Sequence, residues 1–340
     1  MSNVKISMNM KIANSSSLLI QDLERNVYYL NNNIRDVVFL VILTFSATFA
    51  VISNCFTIKV IATEKNMKSK TNYLIANMAF SDAIAGLIIM LEYIFCSAFF
   101  LKKCGTFVCS SLQVIISATY CVSSFTMTTI ACERFLGIVA KPLGVSSKPM
   151  KKIIIIWLLG FLFSLPIFSM VMIPEYFSSK NIFSFRLLDN YQWTDAAIRI
   201  KLMCNFVIQF LLPLVVTTIA YFKVMKAVKN RPILASQITS HRMKFDKQKV
   251  KLIRMFALIV GLFTLAWLPL HLSTLYSVIA GMKIVDLNYV PTALLCLTWL
   301  CASTICFNPI IYFWFHKPFR KQARNTWKLI TFSSSQVQIE

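Results

Sequence analysis

Charged side chains are scarce in this sequence. Of its 340 residues only 14% are Asp, Glu, Lys or Arg, whereas 57% are hydrophobic and the mean hydropathy is +0.66. A soluble domain of ordinary composition carries roughly 25% charged residues. The deficit therefore argues against a soluble globular domain and indicates that much of the chain is surrounded by lipid.

The chain also lacks the residue patterns that most enzyme sites require. It contains seven glycines and three histidines, and His241, His271 and His316 are far apart along the chain. It has neither a Gly-rich phosphate loop nor a cluster of ligands with metal-site spacing. We therefore expect no enzymatic activity and no cofactor. A transporter is a remote alternative, because no internal repeat of the kind that transporters tend to show is visible.

Seven long apolar runs are present instead. A helix needs about 20 residues, at 1.5 Å rise per residue, to cross the hydrocarbon core of a bilayer. We therefore predict an all-α membrane protein, a seven-transmembrane helix bundle over residues 37–315. The runs are Val37–Ile58, Tyr73–Ile94, Gly105–Cys132, Ile153–Pro174, Leu202–Phe222, Met255–Met282 and Leu287–Phe315.

Prolines lie inside the fourth to seventh spans, where the backbone N–H that each proline lacks leaves a carbonyl without its donor. Neighbouring helices can satisfy such carbonyls within a bundle.

After the last span, cations alternate with Phe319, Trp327 and Ile330. This pattern predicts a short amphipathic eighth helix in the membrane interface, within a segment 316–340 that also forms a cytoplasmic tail.

Positive charge is distributed unevenly about the spans. If the N-terminal segment 1–36 lies outside, the inner loops and tail hold 22 Lys and Arg, and the outer segments hold 11. This positive-inside pattern predicts a plasma-membrane protein with an extracellular N-terminus and a cytoplasmic C-terminus. The dispersed cations indicate contact with anionic membrane lipids and an intracellular partner, not with nucleic acid. Asn14 begins an Asn-Ser-Ser triplet and is a candidate glycosylation site.

Polar residues interrupt the apolar runs at depth. An ionisable side chain at the centre of a bilayer costs about 2.5–3.5 kcal/mol on insertion scales, so such residues are functional candidates. Asp82 lies near the middle of the second span. The other interruptions and marker residues are Asn54, Glu133-Arg134-Phe135, Trp157, Pro213 with Tyr221, Phe263 with Trp267-Leu268-Pro269, and Asn308-Pro309-Ile310-Ile311-Tyr312.

This set, with one signature on each span in the same order, resembles the rhodopsin-like (class A) G-protein-coupled receptors over residues 37–325. The resemblance implies a heterotrimeric G protein as partner. It implies that Arg134 pairs with Glu133 at rest and receives the G protein in the active state, when Tyr221 and Tyr312 turn toward it. Trp267 would be the toggle beneath the ligand, with Phe263 below it and Pro309 as a hinge. Asp82, Ser123 and Asn308 match an interior sodium site.

Some positions depart from the pattern of this family. Ser124 stands where an aliphatic residue normally packs between Pro213 and Phe263, which places part of the activation relay in doubt. The usual disulfide from Cys109 to the second outer loop cannot form, because residues 133–203 contain no cysteine. Cys104 could pair with Cys109 only through a very tight loop.

The type of ligand is narrowed by exclusion. Amine receptors of this family carry an aspartate at the position of Ile116, so an amine ligand is not expected. Opsins need a lysine in the seventh span for retinal, and this span has none; its matching residue is Ala302. A light sensor is therefore excluded.

A peptide is the ligand that the remaining residues favour. His271 lies one turn from Trp267 and Gln113 one turn from Ile116, so each pair shares a helix face. With Glu92 they are expected to line a pocket with a polar mouth, suited to a basic or amidated peptide. The run from Trp267 to His271 is similar to that of neuropeptide receptors. The alternatives are a lipid or other small-molecule ligand, and a constitutively active orphan receptor.

Overall fold

The computed structural model of the protein describes most of the chain. The predictions for Asn14 and the N-terminal segment, and most of the second outer loop, lie outside the described residues. The described residues are 34–35, 37–64, 67–96, 106–140, 148–178, 199–200, 202–229, 240–280 and 292–336.

Long helices account for nearly all of the described residues, among which no strand occurs. Two of the helices include π-helical turns: α3 continues into Leu136–Ala140, and α5 contains Phe206–Leu211. The helices are α1 (Val37–Thr63), α2 (Lys70–Cys96), α3 (Thr106–Phe135), α4 (Pro149–Ser178), α5 (residues 202–229), α6 (Ser240–Ile279), α7 (Thr292–Phe315) and α8 (Lys317–Gln336).

Large apolar side chains lie on the outside of these helices. Phe222 is 69% exposed, Leu265 69% and Trp314 66%. Such a surface is a liability in water but is expected in lipid. Within the described residues six helices, α1 to α3 and α5 to α7, are long and apolar enough to cross a membrane. Of the other two, α8 is amphipathic, and α4 has 30 residues with an uncharged run over Ile153–Pro174. The predicted seven-transmembrane bundle is confirmed.

The chain divides into two compact units, Met1–Phe45 and Ser46–Glu340. In the first unit, the described part consists mainly of the first turns of α1. The second unit contains every site discussed below. Within it α3 packs against α2, α4, α5 and α6, so it is the central helix of this unit. We call the two ends of the second unit the Glu92 end and the Arg134 end, after the residues that lie there.

The eighth helix packs by one face. Phe319, Ala323 and Thr326 are buried, whereas the residues between them are half-buried or exposed. Spacings of four and three residues place these three side chains on one side of a helix. Phe319 contacts Tyr312 of α7, with ring centroids 6.3 Å apart. The amphipathic pattern in the sequence therefore produces a helix anchored at the Arg134 end.

A proline inside α7 is compensated by a side chain of α1. Pro309 has no N–H to donate to the carbonyl of Ile305, four residues earlier. The Asn54 side-chain amide donates to that carbonyl at 2.9 Å, and also to the Ala50 carbonyl at 2.9 Å. Asn54 is fully buried. It therefore joins α1 to α7 at the point where the helix ladder of α7 is interrupted.

Helices α3 and α4 approach closely at Gly160. A Cβ atom at this position would lie 2.8 Å from Val122 Cγ2 and 3.1 Å from the carbonyl oxygen of Ala118. Small residues allow such close approach between membrane helices. Gly261 of α6 differs, since no atom lies within 4 Å of its would-be Cβ.

We predict that Gly160→Ala lowers the thermal unfolding midpoint of the detergent-solubilised protein, because overpacking costs about 1–3 kcal/mol. Gly261→Ala is the matched control and should leave the midpoint unchanged or raise it, since alanine favours a helix by about 1 kcal/mol over glycine. Equal midpoints for the two variants would contradict the close approach of α3 and α4.

Candidate functional site

A buried carboxylate joins three helices in the middle of the second unit. Asp82 of α2 is 2% exposed. The Ser123 hydroxyl of α3 donates to Asp82 Oδ1 at 2.7 Å, and the Asn308 amide of α7 donates to Oδ2 at 2.7 Å. Ser81 Oγ lies 2.7 Å from Ser123 Oγ. A charge at this depth is costly unless it is paired, so these hydrogen bonds hold α2, α3 and α7 together.

The three residues of the expected sodium site thus lie in contact with one another. Hard cations take oxygen ligands, and the Asp82 carboxylate and the Ser123 and Ser81 hydroxyls are oxygen donors of this kind. Asn308 directs its N–H at the carboxylate, so it would have to turn its amide to offer an oxygen. The donor set therefore fits a sodium ion through Asp82 and the two serines.

A second polar group links α2, α3 and α4. The Asn77 side-chain amide donates to Thr126 Oγ1 at 2.9 Å, and Trp157 Nε1 donates to Asn77 Oδ1 at 2.9 Å. The indole also packs against Phe80, with ring centroids 5.9 Å apart. Trp157 therefore helps to hold α2, α3 and α4 together.

The ion pair at the Arg134 end differs from the one that the family resemblance implies. Glu133 pairs with Lys152 at the start of α4, with 2.6 Å between Oε1 and Nζ. Arg134 Nη2 instead donates to Thr71 Oγ1 of α2 at 2.9 Å. Arg134 Nε is buried and has no hydrogen-bond partner among the described residues. The expected direct pair of Arg134 with Glu133 is therefore not made in this structure, although Glu133 lies within electrostatic range of Arg134.

Helix geometry explains this difference. Consecutive residues of an α-helix point about 100° apart, so Glu133 and Arg134 face different neighbours of α3. Glu133 faces α4, where Lys152 supplies a cation, and Arg134 faces α2. Tyr221 lies within electrostatic range of Arg134, and Tyr312 within range of Tyr221. Tyr221 thus lies near the guanidinium, and Tyr312 lies near Tyr221.

His316 joins the Arg134 end from the junction of α7 and α8. It is 8% exposed and stacks on Phe319 with ring centroids 6.4 Å apart. Burial lowers the pKa of His316 to about 4, and the positive charge of Arg134 acts in the same direction. The imidazole is therefore neutral at physiological pH and adds no charge beside Arg134.

A column of rings rises along α6 toward the Glu92 end. Phe263 stacks on Trp267 at 5.5 Å between centroids, and Trp267 stacks on His271 at 5.7 Å. Residues four apart lie on one helix face, which is why the three rings align. Tyr120 of α3 meets Trp267 edge-on at 4.9 Å. Phe210 of α5 lies 4.6 Å from His271.

Two nitrogens in this column have no partner among the described residues. Trp267 Nε1 and His271 Nε2 are both buried. An indole N–H can only donate, whereas an imidazole nitrogen can donate or accept. Because an unpaired buried polar atom is costly, these two nitrogens are candidates for hydrogen bonds to a bound ligand.

The other expected ligand residues form a separate pair. The Gln113 side chain hydrogen-bonds to the carboxylate of Glu92, which is half-buried. Ile116, also half-buried, lies one turn further along α3. Tyr120 is one turn beyond Ile116 and contacts Trp267. One face of α3 thus connects the Glu92–Gln113 pair to the ring column.

Cys109 is disulfide-bonded. Seven other cysteines have free thiols: Cys55, Cys121, Cys132, Cys204, Cys296, Cys301 and Cys306. The two that remain, Cys96 and Cys104, have side chains outside the described part of the chain. Since residues 133–203 contain no cysteine, the bond does not reach the second outer loop.

Several residues of these sites escaped the sequence interpretation. Lys152 and His316 approach the Arg134 end from α4 and from the start of α8. A search for a counter-charge near Glu133 would have suggested Lys152, which begins a membrane span. Tyr120 follows Ile116 at helical spacing and could have been added to the pocket. Thr71 carries no comparable signal, because threonine is common at helix ends.

The geometry can now be compared with known proteins. Residues 53–312 match the family model of the 7 transmembrane receptor (rhodopsin family). This match covers most of the chain, so the protein belongs to that family: it is a multi-pass membrane receptor and not an enzyme. The family expected from the seven signatures is confirmed.

Curated relatives include receptors for peptides. The chain is 26% identical over 284 residues to the tachykinin-like peptides receptor 86C of Drosophila melanogaster, covering 80% of this chain and 55% of that protein. It is 25% identical over 299 residues to the human substance-P receptor, covering 84% and 70%. The chain spans about half the length of the Drosophila relatives it matches. The resemblance to neuropeptide receptors is thereby confirmed.

The fold is also similar to that of a solved receptor structure. The crystal structure of squid rhodopsin matches with a TM-score of 0.65, at 20% sequence identity, over 87% of each chain. At this identity the match supports the fold alone.

Proposed function

We propose that this protein is a plasma-membrane receptor that binds an extracellular peptide at its Glu92 end and activates a heterotrimeric G protein at its Arg134 end. The observation that carries the proposal is the pair of unpartnered buried nitrogens, Trp267 Nε1 and His271 Nε2, at one end of the ring column. Relatives named as tachykinin-like peptide and substance-P receptors support a peptide ligand. The positive-inside pattern supports an extracellular N-terminus.

Glu92 makes the proposed ligand site negatively charged. A carboxylate at the mouth of the pocket favours a peptide that carries arginine, lysine or a free amine. Gln113 orients this carboxylate by its hydrogen bond. The proposed contacts are therefore a charge-assisted bond at Glu92, polar contacts at Gln113 and His271, and apolar contacts at Ile116 and Trp267.

We predict that Glu92→Gln weakens binding of a basic peptide by roughly 10- to 150-fold, since a hydrogen bond to a charged group contributes about 1.5–3 kcal/mol. The substitution keeps the hydrogen bond to Gln113 possible and removes only the charge. The measurement is a dose–response series with tachykinin peptides, substance P first, and with citrulline in place of each arginine and acetyl-lysine in place of each lysine. Equal losses for the charged and the neutral peptide would show that Glu92 acts through folding alone.

Raised basal activity is the second property that we propose. In a resting receptor of this family the glutamate next to the arginine is expected to restrain it. Lys152 holds Glu133 at 2.6 Å, and Arg134 Nε has no partner among the described residues. An arginine that is held only by the Thr71 hydroxyl, and not by Glu133, is available to a G protein without agonist. This arrangement favours the constitutively active alternative as a property of the same receptor.

We predict that Lys152→Met lowers basal G-protein activation severalfold at matched surface expression, because Glu133 becomes free to pair with Arg134. A partly exposed ion pair contributes up to about 1 kcal/mol, which corresponds to up to about fivefold in an equilibrium. Lys151→Met, at the exposed neighbouring position, is the matched control and should change little. An unchanged or higher basal signal in Lys152→Met alone would contradict the restraint by Lys152.

We further propose that Asp82 binds sodium with Ser123, with Asn308 completing the site after its amide turns. In the present arrangement Asn308 donates directly to Asp82 at 2.7 Å. An ion held between α2, α3 and α7 would keep these helices apart at this depth. Sodium should therefore disfavour the active state.

We predict that agonist affinity falls when sodium replaces choline at constant ionic strength. Asp82→Asn should abolish the difference, because the neutral amide removes the charge that attracts the ion. The measurement is competition binding of the peptide agonist in membranes that express each receptor. A wild-type affinity that does not respond to sodium would refute the proposed ion site.

A further inference from the structure

Helix α5 departs from regular α-helical geometry where it passes the ring column. Residues Phe206–Leu211 form π-helical turns, and the N–H of Leu212 bonds to the carbonyl of Val207, five residues earlier. π-Helical turns of this kind are rare and are frequently found at functional sites. Pro213 follows immediately and is itself buried. The widened turn and the proline together interrupt the regular hydrogen bonding of α5.

The carbonyl of Gln209 is directly affected by this interruption. In a regular helix it would accept the N–H of residue 213, but that residue is proline and has no N–H to donate. Gln209 is 7% exposed, so water has little access to it. A buried carbonyl without a donor is strongly unfavourable in the membrane interior. The segment therefore needs a donor from elsewhere in the bundle.

Ser124 of α3 supplies this donor. Its hydroxyl lies 3.0 Å from the carbonyl oxygen of Gln209, and the side chain is 2% exposed. An aliphatic residue at this position could not make the bond. Ser124, which stands where this family usually has an aliphatic residue, thus compensates for the missing N–H of residue 213 in α5. One polar contact replaces the apolar packing that the family usually has there.

The bond lies beside the ring column. Phe210, the residue after Gln209, has its ring centroid 4.6 Å from that of His271 and 6.3 Å from that of Phe263. Ser124, Pro213 and Phe263 also line a small crevice between α3, α5 and α6. A displacement of the Gln209 carbonyl would therefore move Phe210 against both rings. Ser124 lies ten residues before Arg134 on the same helix.

We propose that Ser124 is a positioning residue for signal transmission. Its hydroxyl replaces the missing N–H of residue 213 and holds the π-helical segment of α5 against α3. Phe210 is thereby kept in contact with His271 and Phe263. A ligand that shifts this segment must strain or break the bond, which transfers the shift to α3 and toward Arg134. The signalling part of this inference rests on the proposed function, whereas the structural part does not.

The sharpest test compares Ser124→Thr with Ser124→Val. Threonine and valine have nearly the same shape and differ in the hydroxyl, so any clash in the crevice affects both equally. We expect amide hydrogen exchange over residues 205–216 to be roughly two- to tenfold faster in the valine variant, the factor that one hydrogen bond is worth. The threonine variant should exchange as the wild type does. Equal exchange rates in the two variants would overturn the proposal.

A second comparison keeps the test decisive if either variant is poorly expressed. Pro213→Ala restores an N–H at residue 213, which can then donate to the Gln209 carbonyl. Removing the hydroxyl with Ser124→Ala, which adds no bulk, should therefore accelerate exchange in the wild-type background and much less in the Pro213→Ala background. Equal acceleration in both backgrounds would show that Ser124 does not compensate for the proline.

A signalling assay distinguishes a role of Ser124 in signal transmission from a purely structural role. At matched surface expression, Ser124→Val should change the ratio of substance P-stimulated to basal G-protein activation severalfold, and Ser124→Thr should keep it. If exchange differs as expected but neither receptor signals, the proposed function fails and the hydrogen bond stands. If both receptors signal with the wild-type ratio despite different exchange, Ser124 is structural only and the positioning role is refuted.

Discussion

The carbonyl groups that prolines leave without a donor are the constraint on which this bundle depends. The interior of a bilayer offers no water to an unpaired backbone group, so each proline in a span creates a requirement on a neighbouring helix. Two side chains meet this requirement. Asn54 of α1 donates to the Ile305 carbonyl of α7, and Ser124 of α3 donates to the Gln209 carbonyl of α5.

These contacts give the ring column and the Arg134 end fixed places relative to one another. α3 runs between them, and it carries in sequence Gln113, Tyr120, Ser123, Ser124 and Arg134. Three of these residues contact α2, one contacts α6 and one contacts α5. Their contacts reach, in the same order, Glu92, Trp267, Asp82, the Gln209 carbonyl and Thr71. A shift of this helix therefore changes both ends of the second unit together.

Spacing and chemistry in the sequence were enough to predict the number of spans and the family, and the resemblance to that family implied that Asp82, Ser123 and Asn308 lie together. The stacking of Trp267 on His271 follows from a spacing of four residues, which holds in any helix. It was harder to predict which residues of neighbouring helices pair with one another. Glu133 faces α4 and Arg134 faces α2, and the family resemblance did not indicate this difference. The role of Ser124 was missed because it depends on a carbonyl, and a residue pattern records only side chains.

Coupling of ligand binding to G-protein activation is the central claim, and purified components test it most directly. The wild-type receptor in lipid nanodiscs would be mixed with G-protein heterotrimers and a panel of tachykinin-related peptides, and the rate of nucleotide exchange would be measured. We predict a basal rate above that of the G protein alone, a further increase with at least one basic or amidated peptide, and loss of both with Arg134→Ala. A folded wild-type receptor that leaves the exchange rate unchanged with every peptide and every G-protein subtype would contradict the account.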